Sequence, residues 1–200
     1  MGVVELLGIA GSVTLLAGWR LYLCVFATGL AMRLGALPLP EQLGGLDALA
    51  NPWVMGIAAI GALAEFFADK VMWLDSLWDA VHTLLRPAGG ALLALAIVDP
   101  GDPSMQVIAF LLGGGASLAA HAGKAGARGV VNASPEPVSN IAVSTAEDVA
   151  SAGLLYVVYE YPYVAVAIAA VLFAFVAALI ILARNMIRRL LGQRAKLKER

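Results

Sequence analysis

The chain is poor in the side chains that do soluble chemistry. Charged residues are 14% of it, little more than half the usual share of a soluble domain. Cysteine occurs once, at Cys24, which excludes an intrachain disulfide and any cysteine-based metal site. Cys24 lies in an apolar run, so packing is its expected role. Histidine occurs only at His82 and His121, too few and too separated to argue for zinc. The chain has no G-x-S-x-G, no H-E-x-x-H and no phosphate-binding glycine loop, and no enzymatic activity is expected. The N-terminus has Glu5 where a cleaved signal has a basic region, and Leu6 where myristoylation needs Ser or Thr.

Apolar residues are what the chain has in abundance. They make up 61% of 200 residues, and the mean hydropathy is +0.86. One lipid-embedded domain over residues 1–183 is expected, followed by a basic tail at 184–200. Seven of the thirteen Lys and Arg lie at or after Arg184. So apolar a chain is not expected to bind nucleic acid; its expected partner is membrane lipid. No cofactor is implied.

The order of segments predicts an all-α, polytopic transmembrane helical bundle with about six membrane-entering segments. Val3 to Leu37 would be roughly 50 Å long as one helix, against a hydrocarbon core of about 30 Å. A broken first helix is expected, with the break at Ala17–Arg20, where Gly18 weakens the helix and Arg20 needs water or a carboxylate. Pro38 to Asn51 reads as a loop and Pro52 to Ala68 as a span. Over Val71 to Leu85, Leu74, Leu77, Trp78, Val81, Leu84 and Leu85 share one face. Asp75, Asp79, His82 and Arg86 share the other. That pattern predicts an interfacial amphipathic helix, ended by Pro87, Gly89 and Gly90. Ala88 to Val98 is short for a span.

Asp99 to Pro103 predicts a tight loop, and Met105 to Ala122 a helix. Gly115, Ala119 and Gly123 recur every fourth residue, a stripe that lets a neighbouring helix come close. Ser144-Thr-Ala-Glu147 has the form of a capping box and predicts a helix start. Tyr161-Pro162-Tyr163 predicts an aromatic turn. Val164 to Ala183 is the clearest transmembrane helix. The basic tail puts the C-terminus in the cytoplasm of a multi-pass protein, and the 37–51, 99–104 and 160–162 loops outside, without Lys or Arg. Arg33 alone dissents. Asn132-Ala-Ser fits a glycosylation sequon but falls on the cytoplasmic side.

The ionisable residues fall into an acidic and a basic set. Glu65 and Asp69 share a helix face, and so do Asp75, Asp79, His82 and Arg86. His121, Lys124 and Arg128 form a basic stripe, and Glu147 and Asp148 open a later helix. All of them are expected at the cytoplasmic boundary of the membrane, with His82 beside Asp79. They either clasp helices together or line a path for a cation or proton. In the second reading Glu65, Asp69, Asp75, Asp79, Asn140, Glu147 and Asp148 bind substrate or ion. Arg20, Lys70, Arg86, Lys124 and Arg128 then counter-charge or gate. The spacing singles out no metal. Asp75-x-x-x-Asp79 has the spacing of the aspartates of membrane alcohol phosphotransferases, but the upstream elements of that motif are missing.

Together, AGWR at residues 17–20, E-x-x-A-D-K at 65–70, L-D-S-L-W-D-A-V at 74–81, R-P-x-G-G at 86–90, K-x-x-x-R at 124–128, N-A-S-P-E-P-x-S-N at 132–140 and E-D at 147–148 resemble a bacterial integral-membrane family catalogued as domain of unknown function 4126. The resemblance covers nearly the whole chain. It implies a multi-spanning inner-membrane protein whose polar signature is Arg20, Glu65, Asp69, Lys70, Asp75, Asp79, Arg86, Lys124, Arg128, Asn132, Asn140, Glu147 and Asp148. Met72 stands where the family often has proline. The 65–70 stretch is also similar to the E-x-G-D-K-T element of a cation-exporter family, with Ala68 for its glycine and Val71 for its threonine. The expected function is a small inner-membrane transporter or channel for an ion or small polar solute, assembled as a homo-oligomer. The alternative is a non-transporting scaffold or lipid-binding protein whose charges are structural helix pairs.

Overall fold

A computed structural model describes residues 3–35, 41–99, 101–131 and 137–198; within these, side chains are described except at residues 3, 41–42, 72, 130–131, 137–140, 183, 187 and 190–198. The described residues are helical throughout, apart from short turns. The α-helices are α1 (Val3–Arg33), α2 (Pro52–Ala68), α3 (Met72–Ile97), α4 (Pro103–Val131), α5 (Pro137–Glu160) and α6 (Pro162–Lys198). A 3-10 segment, Glu41–Ala50, precedes α2. Among the described residues five helices are long and apolar enough to cross a membrane; the 3-10 segment and α2, bent by 75°, meet the same test together, as a broken span or a re-entrant loop. The protein is a multi-pass membrane protein.

Local chemistry explains the helix starts. α2, α4, α5 and α6 each begin at a proline, whose fixed φ and missing N–H suit the first helical position. Asn51 Oδ1 accepts from Trp53 N at 2.9 Å and caps α2. Asp102 Oδ1 accepts from Ser104 N and Met105 N, both at 3.0 Å, and caps α4. One residue, Tyr161, separates α5 from α6, and its ring meets Tyr163 edge-on at 6.1 Å.

α1 is the axis of the bundle: 61% of its apolar window is buried, against 11% for α6. Ile9, Val13, Leu16, Ala17, Leu21 and Cys24 of α1 form the apolar core. Leu43 and Leu46 of the 3-10 segment, Leu93 and Ile97 of α3, Leu155 and Val158 of α5 and Ala165 of α6 complete it. The expected break in α1 falls at Arg20 (φ −143, ψ 73), and the chain resumes as helix on either side.

Four expectations need correction. Within the segment read as a loop, Glu41–Ala50 is the 3-10 segment, because Leu43 and Leu46 bury against the core. The segment read as an interfacial helix ended by Pro87 is the first half of α3, which runs unbroken to Ile97. Its polar face turns into the bundle, and Trp73, Leu77, Val81 and Leu84 face outward. Pro87 deletes one backbone hydrogen bond, but neighbouring helices hold the turn, and Ser117 Oγ donates to Arg86 O at 2.8 Å. α5 starts at Pro137, so Ser144 and Glu147 are inside the helix rather than at its cap. The glycine stripe at 115, 119 and 123 is not the close contact, because space beside Gly115 is open. α4 is instead approached through Gly18 of α1, which lies against the Ser117 carbonyl, and Gly90 of α3, which lies against the Ser117 side chain.

Gly18→Ala would push a Cβ into the Ser117 backbone, where no flexible group can yield. It should destabilise the bundle by about 1–3 kcal/mol. Gly115→Ala should be neutral or stabilising, by up to about 1 kcal/mol. Thermal unfolding of the two variants in detergent reads the contrast.

Candidate functional site: a buried charge array

The largest fully buried side chains are Arg20, Arg86, Arg128 and Lys124, ahead of any leucine or isoleucine. In water such side chains lie on the surface. Here the polar stripes of five helices face inward and meet.

Asp69, at the C-terminal cap of α2, is the meeting point. Its Oδ2 pairs with Arg20 Nη1 of α1 and with Lys124 Nζ of α4, the latter at 3.0 Å. Its carbonyl accepts from Arg128 Nη2 of α4. Arg20 continues to α5, with Nη2 3.1 Å from Glu147 Oε2 and Nε 3.3 Å from Asp148 Oδ1. It also donates to Ser144 O at 3.0 Å. The non-helical backbone at Arg20 sits where its guanidinium spans α2 and α5.

The array extends the other way through Glu65. Lys124 Nζ is 3.8 Å from Glu65 Oε1, which receives Arg86 Nη2 at 2.6 Å. Arg86 Nη1 reaches Asp79 Oδ1 at 3.3 Å, two turns back on α3. Arg128 Nε pairs with Asp75 Oδ2 at 3.2 Å. Lys70 stands at the edge, donating to Phe66 O at 3.1 Å with its ammonium 3.2 Å from the Phe66 ring centre. The expected acidic and basic sets are therefore brought together. Asn140 is on α5, but its side chain lies outside the described residues, and Asn132 lies wholly outside them. The array was expected at the membrane boundary. Along the helices it extends from the 69–71 turn to Arg20, midway along α1, and to Arg86, about 21 Å along α3.

The histidines act differently from expectation. His82 does not pair with Asp79. Its Nδ1 is 2.7 Å from Trp78 O and its Nε2 3.0 Å from the Tyr22 hydroxyl, and the ring stacks on Trp78 at 4.2 Å. A stacked aromatic neighbour one turn away and a backbone acceptor outcompete the carboxylate. His121 takes the place beside Asp79. Arg86 Nη1 donates to His121 Nδ1 at 2.7 Å, and an arginine only donates. Nδ1 therefore carries no proton, and Nε2–H points to Asp79 O and Thr83 Oγ1, each at 3.1 Å. The 4.0 Å approach of His121 Nδ1 to Asp79 Oδ1 is thus not an ion pair. Ser144, Ser117, Thr83 and Tyr22 were missed as partners; single hydroxyls in apolar helices carry no periodic signal.

Three of the clefts among the described residues reach the array, one of them at Glu147 beside Trp19 and Leu172 and two at its ends. Of the two end clefts, one of about 300 Å³ between α3 and α4 is lined by Ser76, Asp79, Thr83 and Arg128. The other, of about 520 Å³, lies between α2 and α5 over Arg20, Glu65 and Asp148. Among the described residues no three His, Cys, Asp or Glu side chains are grouped as a metal site.

Burial alone would raise the Asp69 carboxyl, but Lys124 and Arg20 outweigh it and hold the group below the ordinary carboxylate range. A lowered folded value stabilises the protein above the unfolded value of about 3.9. That contribution is lost as pH falls through the folded value. A family model described as "Domain of unknown function (DUF4126)" matches residues 7–182, which include the whole array. No curated protein and no solved structure matches the chain.

Asp69→Asn should remove the carboxylate that Arg20 and Lys124 share, leaving Arg20 to Glu147 and Asp148 and Lys124 to Glu65, and cost up to about 3–5 kcal/mol. Its unfolding midpoint in detergent, followed from pH 7 to pH 3, should fall less on acidification than that of the parent.

Proposed function

This chain belongs to the DUF4126 family, and we propose that it is a small transporter or channel for an ion or small polar solute. One observation carries this reading. A continuous line of alternating charge runs from Asp148 at one cleft to Asp79 at the other. Both ends touch their clefts, with the side chains 23% and 10% exposed. Six carboxylates (Glu65, Asp69, Asp75, Asp79, Glu147, Asp148) face five cations (Arg20, Lys70, Arg86, Lys124, Arg128). The surplus of one negative charge suits a transported cation or proton. Holding two helices together needs one or two pairs, and charges within a membrane are costly enough that this many implies a pathway. Glu65 and Asp69 are the cation-facing pair, and Arg20, Lys124 and Arg128 counter-charge it in a closed state.

Lys70 and the basic end of α6 fall on one side of the bundle. That distribution supports an inner-membrane protein with its C-terminus in the cytoplasm. A homo-oligomer embedded in lipid is the working assembly.

A second reading has its own support. Each acid of the array touches a cation directly, as helix-clasping charges in a scaffold would. Reconstitution in liposomes separates the two. Under the transport reading the protein moves a cation or proton down an imposed gradient, and Glu65→Gln with Asp69→Asn lowers the flux at least about tenfold in protein that still folds. No flux of any ion or solute from the parent, together with stability recovered by exchanging Asp75 and Arg128, would establish the scaffold.

A further inference from the structure

The cleft between α2 and α5 has a composition that the ion pathway does not require. Its floor is ionic, made by Arg20, Glu65 and Asp148, and its walls are apolar, with Leu23, Phe26, Leu63 and Phe66 prominent. Leu63, Val149 and Ala152 at its rim are exposed on the outer surface of α2 and α5, where a membrane protein meets acyl chains. The cleft therefore opens sideways, toward lipid. Its volume of about 520 Å³ is within the range of small-molecule sites, about 300–1,000 Å³.

The floor is not fully satisfied. Glu65, 1% exposed, uses Oε1 on Arg86, and its Oε2 has no hydrogen-bond partner among the described residues. Asp148 uses Oδ1 on Arg20, and its Oδ2 has none either. Buried carboxylate oxygens without donors are costly, so the two oxygens together ask for an N–H donor with positive charge. Arg86 holds Glu65 and Arg20 holds Asp148, each through one oxygen, so what the floor leaves open is the second oxygen of each carboxylate. The walls agree. The Phe66 ring shows that this wall suits an ammonium, its face being taken by Lys70 at 3.2 Å, and Phe26 is the further aromatic ring of the lining.

We propose that this cleft binds a cationic amphiphile, an alkyl or aryl ammonium that enters from the lipid, sets its nitrogen against Glu65 and Asp148 and leaves its apolar body between Phe26, Phe66 and Leu63. An anionic amphiphile is disfavoured, because the only cation on the floor, Arg20, is already shared by Asp69, Glu147 and Asp148. The site is a binding site whether or not the protein transports.

Binding of decylammonium to the purified full chain in a non-ionic detergent tests it, by equilibrium dialysis against protein-free micelles, with decanol and decanoate as same-length comparisons. Decylammonium should bind about tenfold or more tightly than decanol, and decanoate more weakly than either. Asp148→Asn should abolish most of the preference for the amine. Ala62→Phe, which fills the cleft wall without touching a charge, should weaken both decylammonium and decanol; it carries the test if Asp148→Asn does not fold. Equal binding of amine and alcohol, stronger binding of decanoate, or affinities unchanged in both variants would overturn the site. No gradient enters the measurement. A chain that binds the amine yet moves nothing in liposomes loses the transport reading and keeps this one.

Discussion

One carboxylate between two cations holds the bundle in register. Asp69 receives Arg20 from α1 and Lys124 from α4, and its carbonyl receives Arg128. Between lipid-embedded helices there is no hydrophobic drive to associate, because acyl chains are as apolar as leucine. Association has to come from close packing and from polar contacts that hydrocarbon cannot supply. Packing is provided where Gly18 and Gly90 bring α1 and α3 against α4 at Ser117. Direction is provided by the charges, which have no low-energy place except facing one another. Every other ion pair described in the array is reached from Asp69 through Arg20, Lys124 or Arg128.

The result inverts the usual layout of a globular protein. Arginine and lysine are the bulkiest fully buried side chains, while Trp53, Ile57, Ile60, Leu63 and Phe67 cover the outside of α2. Neither surface is anomalous once the solvent is hydrocarbon. Burial of eight charged groups remains expensive, and mutual pairing reduces that cost without removing it. The unpartnered oxygens of Glu65 and Asp148 mark where pairing is incomplete, and these residues line the cleft that opens to lipid.

Much of this was legible in the sequence, and the limits have physical causes. The last span, the Asp99–Pro103 loop and the Tyr161 turn were readable because apolar length, proline and aromatic turn residues act locally. The residues of the array were readable because charge inside an apolar chain is conspicuous. The direction of the polar face of α3 was not. A helix lying in the interface and a helix turning its charges into a bundle share one periodicity; only the partners on α2 and α4 decide. Pro87, Gly89 and Gly90 read as a stop because in water they would be one. Ser144 and Glu147 read as a cap because the same spacing inside a helix places them together under Arg20. His82 was assigned to Asp79 by spacing alone, which could not register Trp78 and Tyr22.

The charges on α3 also bear on how the chain enters the bilayer. At the middle of an isolated helix, each Asp or Arg opposes insertion by about 2.5–3.5 kcal/mol. Asp75, Asp79 and Arg86 are all on α3. Arg86 pairs with Glu65 of α2, made earlier, and with Asp79 of α3 itself, whereas Asp75 pairs with Arg128, synthesised later, on α4, across the short turn at Asp99 and Asp102. The Asp75–Arg128 pair therefore favours entry of α3 and α4 together, as a hairpin.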